Sequence, residues 1–298
     1  DTRTKNGGGP INGYISNSWL IIQASGLTAA GNSAPTVATP ILNGGSAVTL
    51  NSDATTSVSA TTTITDNDGW ADISTATAVF YNSTTTETCS ANEENCYIVG
   101  SCTLGATTTN SRDVTCTANF WFTAIPTDNY SWASTTGYSL KTWVAWIKGI
   151  DAQNASSAAT TSQEVNSLFA LKVVEAGIDY GAVAPGATST TPNPSLEIDT
   201  IGNAPINSNI SGVNMESGAN SIAIDQQKYG LTDVGWESLT DTASDTAQTL
   251  NLASGKTTDH TAYASDTVYW AIKIPSGQTF GDYYGTNTIA AVEDTIDW

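Results

Sequence analysis

The stretch Thr65-Asp-Asn-Asp-Gly-Trp-Ala-Asp72 joins two runs of residues that the sequence predicts as β-strands. The run before it, Thr56–Thr65, alternates small polar and apolar residues up to Ile64, which is the period-two pattern of a half-buried strand. The joining loop contains three aspartates, although only 12% of the chain is charged. This concentration of charge predicts a rigid polar loop at one end of a β-sandwich.

The aspartates of this loop, Asp66, Asp68 and Asp72, are candidate ligands of Ca²⁺, which takes about six to eight oxygen ligands. Gly69 permits the sharp turn that would direct the side chains inward. The order is not that of an EF-hand, because the glycine comes early and the downstream glutamate is missing. The predicted strand order makes residues 66–72 the B–C loop and residues 151–154 the F–G loop of an immunoglobulin-type sandwich. These loops lie at the same end, so Asp151, and with it the Asn154 carbonyl, is expected to approach the other three. Ordinary Asx turns are the alternative interpretation.

The composition predicts an all-β chain. Thr, Val, Ile, Tyr and Trp suit strands, and turn residues recur at short intervals. The chain is rich in Ser and Thr, but 39% hydrophobic residues with nine Trp and eleven Tyr are enough to build a core. We therefore predict two immunoglobulin-like β-sandwiches in tandem, residues 33–175 and 176–298. The strands predicted in the first are Val48–Asn51, Thr56–Thr65, Ala76–Tyr81, Tyr97–Leu104, Val114–Thr123, Ser139–Ile150 and Thr160–Val174.

Residues 1–32 are predicted to form an extended segment and a linker that precede the first sandwich. Gly26–Pro35 is rich in Gly, Asn, Ser and Ala, as linkers are. An apolar strand on such a tether is typical of a donor strand, which completes the sheet of a neighbouring subunit. Alternatively, the segment folds back as the first strand of its own domain. The candidate subunit-contact residues are Tyr14, Ile15, Trp19, Leu20, Ile21 and Ile22.

All four cysteines lie between Cys89 and Cys116. An even, clustered set in an acidic, Ser/Thr-rich chain predicts two disulfides formed outside the cytosol. We expect Cys102 to pair with Cys116 across a hairpin, and Cys89 with Cys96 across a short loop, although other connectivities remain open. A zinc site is disfavoured because there is no CxxC pair and His260, the only histidine, is far away in sequence.

The net charge of −19 argues against nucleic acid and anionic lipid as partners. No apolar run reaches the roughly 18 residues that a membrane helix needs. The predicted disulfides and the acidic composition together predict an extracellular protein, either secreted or on the cell surface. Four sequons permit glycosylation in that compartment, at Asn82, Asn129, Asn154 and Asn209.

Three runs resemble tandem immunoglobulin-like modules of prokaryotic cell-surface proteins: Asn32-Ser-Ala-Pro35, residues 65–73 and residues 143–154. The resemblance implies that residues 143–154 form the F strand and F–G loop. In the second half, Tyr180-Gly-Ala-Val-Ala-Pro-Gly186 followed by Ile201-Gly-Asn-Ala-Pro-Ile-Asn207 is similar to filament subunits of the camelysin and TasA type. Those families include matrix-fibre proteins. The Cys-Trp-Cys arrangement of true immunoglobulins is absent.

These features predict a non-enzymatic structural subunit of an extracellular filament or surface layer, which self-associates into a homopolymer. Acids in a Gly/Asn loop are solvated, whereas the carboxylate pair of a glycosidase needs a cleft that raises one pKa. His260 lies in a polar stretch and is expected at the surface, with no nucleophile beside it. The alternative is a cell-surface adhesin that binds glycan or a host surface through aromatic loops.

Overall fold

The computed structural model describes residues 31–253 and 255–295, which are built almost wholly from antiparallel strands. The described residues from Ser33 onward form one compact unit, and this unit contains two main apolar cores. No helix among the described residues is long and apolar enough to cross a membrane. The predicted subunit-contact residues, Tyr14, Ile15, Trp19, Leu20, Ile21 and Ile22, lie outside the described residues.

The first sandwich consists of two sheets. One has the order β1-β3-β7-β6, with β2 also paired to β3, and the other has the order β5-β4-β8-β9. These orders match the immunoglobulin arrangement, in which strands A-B-E-D pack on C-F-G with an added C′ edge strand. The strands are β1 (Thr36–Val37), β2 (Ile41–Leu42), β3 (Thr55–Thr65), β4 (Ile73–Asn82), β5 (Cys96–Val99), β6 (Thr103–Thr107), β7 (Ser111–Trp121), β8 (Trp143–Asp151) and β9 (Ser156–Gln163).

The core of the first sandwich is centred on Trp143 of β8, whose side chain is fully buried. Its indole N–H donates to the carbonyl of Ile125 at 2.8 Å. Its ring lies 4.7 Å from the ring of Phe120, which in turn stacks at 4.3 Å on Tyr97. Alternate residues of β3, β7 and β8 point into this core, as the period-two pattern requires.

The second sandwich has a five-stranded sheet of order β10-β11-β18-β15-β16 and a three-stranded sheet of order β17-β12-β19. Trp270 and Tyr229 are fully buried between the sheets, with their rings 4.9 Å apart. The strands are β10 (Leu171–Val173), β11 (Ser195–Thr200), β12 (Ile206–Gly212), β13 (Met215–Ser217), β14 (Asn220–Ile222), β15 (Gln227–Gly230), β16 (Asp241–Thr242), β17 (Gln248–Leu250), β18 (Ser265–Ile272) and β19 (Asn287–Glu293).

Short helical turns complete the fold between strands. The only α-helix in the described part of the chain is α1 (Ser131–Thr136), between β7 and β8. The strands β13 and β14 form a separate two-stranded hairpin. The single 3-10 turns are Asn43–Gly45, Trp70–Asp72, Tyr138–Leu140, Ile224–Gln226 and Trp236–Ser238.

Two of the predicted strands are divided in the structure. The predicted strand Tyr97–Leu104 is two strands, β5 and β6, which belong to opposite sheets. The predicted strand Thr160–Val174 also divides, because β9 pairs with β8 whereas β10 pairs with β11 of the second sandwich. Alternating polarity indicates which face of a strand is buried, but it does not indicate which sheet the strand joins.

Both disulfides lie beside the crossing from β5 to β6. Cys102 bonds to Cys116 and Cys89 bonds to Cys96, which is the pairing expected from the sequence. The amide of Cys102 also donates to the carbonyl of Ala76 in β4. The crossing is therefore tied to both sheets of the first sandwich.

The two sandwiches meet through the loops at one end of the first. Asn203 of the second sandwich accepts a hydrogen bond from the amide of Leu168 at 2.6 Å and donates to the carbonyls of Ala124 and Asn166 at 3.0 Å each. Lys256, whose side chain is 5% exposed, pairs with Glu94 at 2.7 Å. The opposite end of the first sandwich carries the loop of residues 66–72; we call it the distal pole.

Candidate cation site

The loop of residues 66–72 at the distal pole is shaped by its own backbone. Asp66 Oδ1 accepts the amide hydrogen of Asp68 at 2.9 Å, which forms the expected Asx turn. Gly69 has a φ of 109°, where a side chain would be strained, so the turn requires glycine here. The amide of Asp72 then donates to the carbonyl of Gly69 at 3.0 Å, and the chain enters β4.

Three carboxylates converge in this loop. One oxygen from each of Asp66, Asp68 and Asp72 lies within 4.8 Å of the other two. Asp66 is only 1% exposed, Asp72 is half-buried and Asp68 is exposed. Asp66 Oδ2 is buried and has no hydrogen-bond partner in the described residues. A buried charged oxygen without a partner is costly, so this atom is suited to a cation.

Asp151, the fourth predicted ligand, ends β8 beside this loop. The amide of Ala152 donates to the carbonyl of Asp72 at 2.9 Å, which ties the β8–β9 turn to the loop. The Oδ1 atom of Asp151 accepts the amide hydrogens of Gln153 and Ala155 at 2.9 and 2.7 Å. The structure thus brings Asp151 to the distal pole, but its carboxylate is outside the group of three and shapes its own turn.

The carboxylates at the distal pole influence one another. The pKa of Asp72 is raised above its ordinary value by loss of hydration and by the charges of Asp66, Asp151 and Asp68. A cation bound among these groups would offset their repulsion. The donor set consists of carboxylate oxygens, which hard cations such as Ca²⁺ prefer.

Two further segments at the distal pole could not be found from the charge pattern. The loop between β6 and β7 contributes carbonyls, since Asn110 accepts the amide hydrogen of Asp66 at 2.7 Å and Thr109 accepts that of Trp70 at 3.3 Å. The amide of Ser33 donates to Asp68 Oδ2 at 2.7 Å. Contacts made by backbone groups cannot be inferred from the residue types in the sequence. Only the rule that the B–C loop (residues 66–72) and the D–E loop (between β6 and β7) share an end could have indicated the first contact.

A second cluster, Glu93, Asp259 and His260, lies where the two sandwiches meet. The side chain of His260 is 32% exposed, as expected of a surface residue, but it also has specific partners. Its ring stacks at 3.7 Å on Trp121, its Nδ1 is hydrogen-bonded to Glu93 Oε1, and its amide donates to Glu93 Oε2 at 3.0 Å. Both oxygens of Glu93 therefore hold His260, and the cluster acts as a contact between sandwiches.

The predicted glycosylation sites differ in exposure. Asn129 and Asn154 are exposed, and Asn209 is half-buried. Asn82 is fully buried, and its Oδ1 accepts the amide hydrogen of Thr84 at 3.0 Å. The folded chain therefore does not offer Asn82 for glycosylation, since its side chain is needed inside the turn after β4. The three other asparagines remain candidate sites.

Comparison with known proteins identifies no family for this chain. No protein-family model matches the chain, and no curated protein sequence is similar to it. One solved structure, described as "Chaperone-tip adhesin complex is vital for synergistic activation of CFA/I fimbriae biogenesis", aligns over 84% of this chain and 78% of its own, with 10% identity and a TM-score of 0.29. The resemblance to surface modules and to camelysin and TasA stays a prediction.

Proposed function

We propose that the chain is a non-enzymatic structural subunit of an extracellular filament or surface layer. Its copies would join through β-sandwich packing and through the N-terminal strand, Ile11–Ser25. The observation that carries the proposal is an unpaired strand edge on the first sandwich, beside a groove lined by both polar and apolar residues.

The unpaired edge belongs to β7. This strand pairs with β3 over its whole length, from Ser111 to Trp121. It pairs with β6 only between Arg112 and Thr115. Among the described strands, none covers the second edge of β7 from Cys116 to Trp121. Such an edge is a ready template for another strand, which monomeric proteins usually cover or charge.

A groove of about 480 Å³ runs between this edge and the free edge of β5. The amide of Trp121 points into it and donates to the Tyr97 hydroxyl at 2.9 Å. Because backbone groups alternate along a strand, the amides of Thr117 and Asn119 point the same way. Ile98 in the groove is 54% exposed. Strand addition uses backbone groups on an edge that no other strand covers, together with neighbouring pockets for side chains.

The occupant that we propose is residues 11–25 of a second copy. This segment is apolar and has no charged residue. Residues 1–32 contain Arg3, Lys5 and Asp1, so the rest of the chain contains the remaining 7 bases and 27 acids of the totals of 9 and 28. Residues 1–32 thus have a net charge of +1 and the rest of the chain has a net charge of −20, so the acidic sandwiches do not repel the uncharged segment.

Deletion of residues 1–26 tests the proposal. We expect the shortened chain to fold with an unchanged melting temperature but to stay monomeric in sedimentation velocity, because the connecting strand is gone. A shortened chain that still polymerises would contradict the proposal. A shortened chain that fails to fold would show that the segment is the first strand of its own domain, which is the alternative interpretation.

Replacement of Asn119 by proline should block the acceptor edge. Proline lacks the amide hydrogen and its ring obstructs an incoming strand, so we expect polymer formation to fall at least about tenfold. Pairing with β3 should survive because the Asn119 amide faces away from β3. Asn119→Ala is the matched control and should polymerise normally. Equal polymerisation of both variants in a sedimentation assay would place the acceptor elsewhere.

One observation favours an adhesin as the second candidate. Phe280 and Tyr284, in the loop before β19, are 86% and 75% exposed. Exposed rings stack on sugars or pack into a partner surface. An adhesin of this kind would keep its binding after residues 1–26 are removed, whereas the proposed subunit would lose its assembly.

A further inference from the structure

We infer that Asp66, Asp68 and Asp72 form a Ca²⁺ site that locks the distal pole of the first sandwich and holds the backbone at Ser33. This inference is independent of polymerisation, because all the groups concerned lie within one chain. It rests on an unpartnered buried oxygen, on the spacing of three carboxylates, and on the loops that meet around them.

The unpartnered oxygen is Asp66 Oδ2. The other oxygen of this carboxylate already accepts the Asp68 amide hydrogen, so the Asx turn is complete without Oδ2. Asp66 is 1% exposed, and water therefore does not reach this oxygen freely. The Asx turn therefore accounts for Oδ1 of Asp66, and a bound cation would account for Oδ2.

The spacing of the carboxylates suits Ca²⁺. Two oxygens on opposite sides of one Ca²⁺, each at about 2.4 Å, are separated by about 4.8 Å. One oxygen each from Asp66, Asp68 and Asp72 falls within that separation. Asp68 is exposed, so water can complete the coordination shell. Zinc prefers nitrogen and sulfur ligands, and Mg²⁺ demands a stricter octahedron.

Binding here would join four segments of the chain. The loop of residues 66–72 is hydrogen-bonded to the β6–β7 loop through Asn110 and to the β8–β9 turn through Ala152. Ser33 is bonded to Asp68 Oδ2 at 2.7 Å. A cation that fixes Asp68 therefore also fixes Ser33, where the N-terminal segment joins the sandwich.

The test is calorimetric titration of the chelator-treated full chain with CaCl₂, combined with thermal unfolding. We expect one site with a dissociation constant of about 10⁻⁴ to 10⁻³ M, as in extracellular modules, and a higher melting temperature with Ca²⁺. Hydrogen exchange of a peptide that contains Ser33 should slow in Ca²⁺. Absence of both heat and a melting shift would overturn the inference, and unchanged exchange at Ser33 would overturn the proposed lock.

Asp66→Asn separates a ligand from a merely structural residue. Asparagine keeps the acceptor for the Asp68 amide and removes the buried charge. We therefore expect at least about tenfold weaker Ca²⁺ binding together with a melting temperature in chelator that is equal to or higher than that of the unchanged chain. Asp68→Asn, at an exposed position, should weaken Ca²⁺ binding similarly. It keeps the inference testable if Asp66→Asn does not fold.

Asp259→Asn is the matched control, because Asp259 belongs to the other carboxylate cluster. It should bind Ca²⁺ as the unchanged chain does. Loss of binding in Asp259→Asn with retention in Asp66→Asn and Asp68→Asn would assign the cation to the Glu93 cluster and overturn the inference.

Discussion

Replacement of Trp143 by alanine is expected to lower the free energy of unfolding by roughly 3–5 kcal/mol. The side chain is fully buried, packs on Phe120 and Tyr97, and donates its indole N–H to Ile125. Alanine would leave a cavity between the sheets and an unpaired carbonyl at Ile125. Urea unfolding followed by circular dichroism measures the change.

The matched control is Trp70→Ala at the distal pole. Trp70 is 39% exposed, and its ring lies 5.5 Å from the guanidinium of Arg112. An exposed cation–π contact contributes about 0.5–1 kcal/mol, so this variant should lose no more than that. Equal losses for the two tryptophans would contradict the assignment of Trp143 to the centre of the core.

Replacement of Asn203 by alanine is expected to uncouple the two sandwiches. One side chain serves three backbone groups, the amide of Leu168 and the carbonyls of Ala124 and Asn166. A buried polar group that loses its partner costs about 1–3 kcal/mol, so we expect a total loss of roughly 3 kcal/mol after relaxation. Calorimetry should then show two separated unfolding transitions.

Asn209→Ala is the control for this experiment. Asn209 lies in the same sandwich, but its Oδ1 accepts a single exposed hydrogen bond from Thr249. This variant should change stability by less than about 1 kcal/mol and leave the unfolding profile unchanged. If Asn203→Ala behaves like Asn209→Ala, the Asn203 bonds do not couple the sandwiches.

The sequence predicted the central strands because their polarity alternates and their inward positions are apolar. Thr55–Thr65, Ile73–Asn82 and Trp143–Asp151 all appear close to the predicted bounds. The meeting of the 66–72 loop with Asp151 followed from the rule that the B–C and F–G loops share one end. That rule requires only the order of the strands along the chain, and the alternating polarity of the sequence indicates this order.

The remaining features depend on contacts between distant residues. The crossing from β5 to β6 is set by the Cys102 amide bond to Ala76, which has no sequence signal. His260 lies in a polar stretch, and no sequence signal indicates its contacts with Trp121 and Glu93 of the other sandwich. The open edge of β7 depends on where β6 ends, and strand ends are the least certain part of a pattern-based prediction.

Electron microscopy of the purified full chain in Ca²⁺-containing buffer tests the proposed structural role most directly. This role predicts filaments or sheets built from a repeating two-sandwich unit, and their absence when residues 1–26 are removed. Isolated two-sandwich monomers at every concentration of the full chain would contradict it.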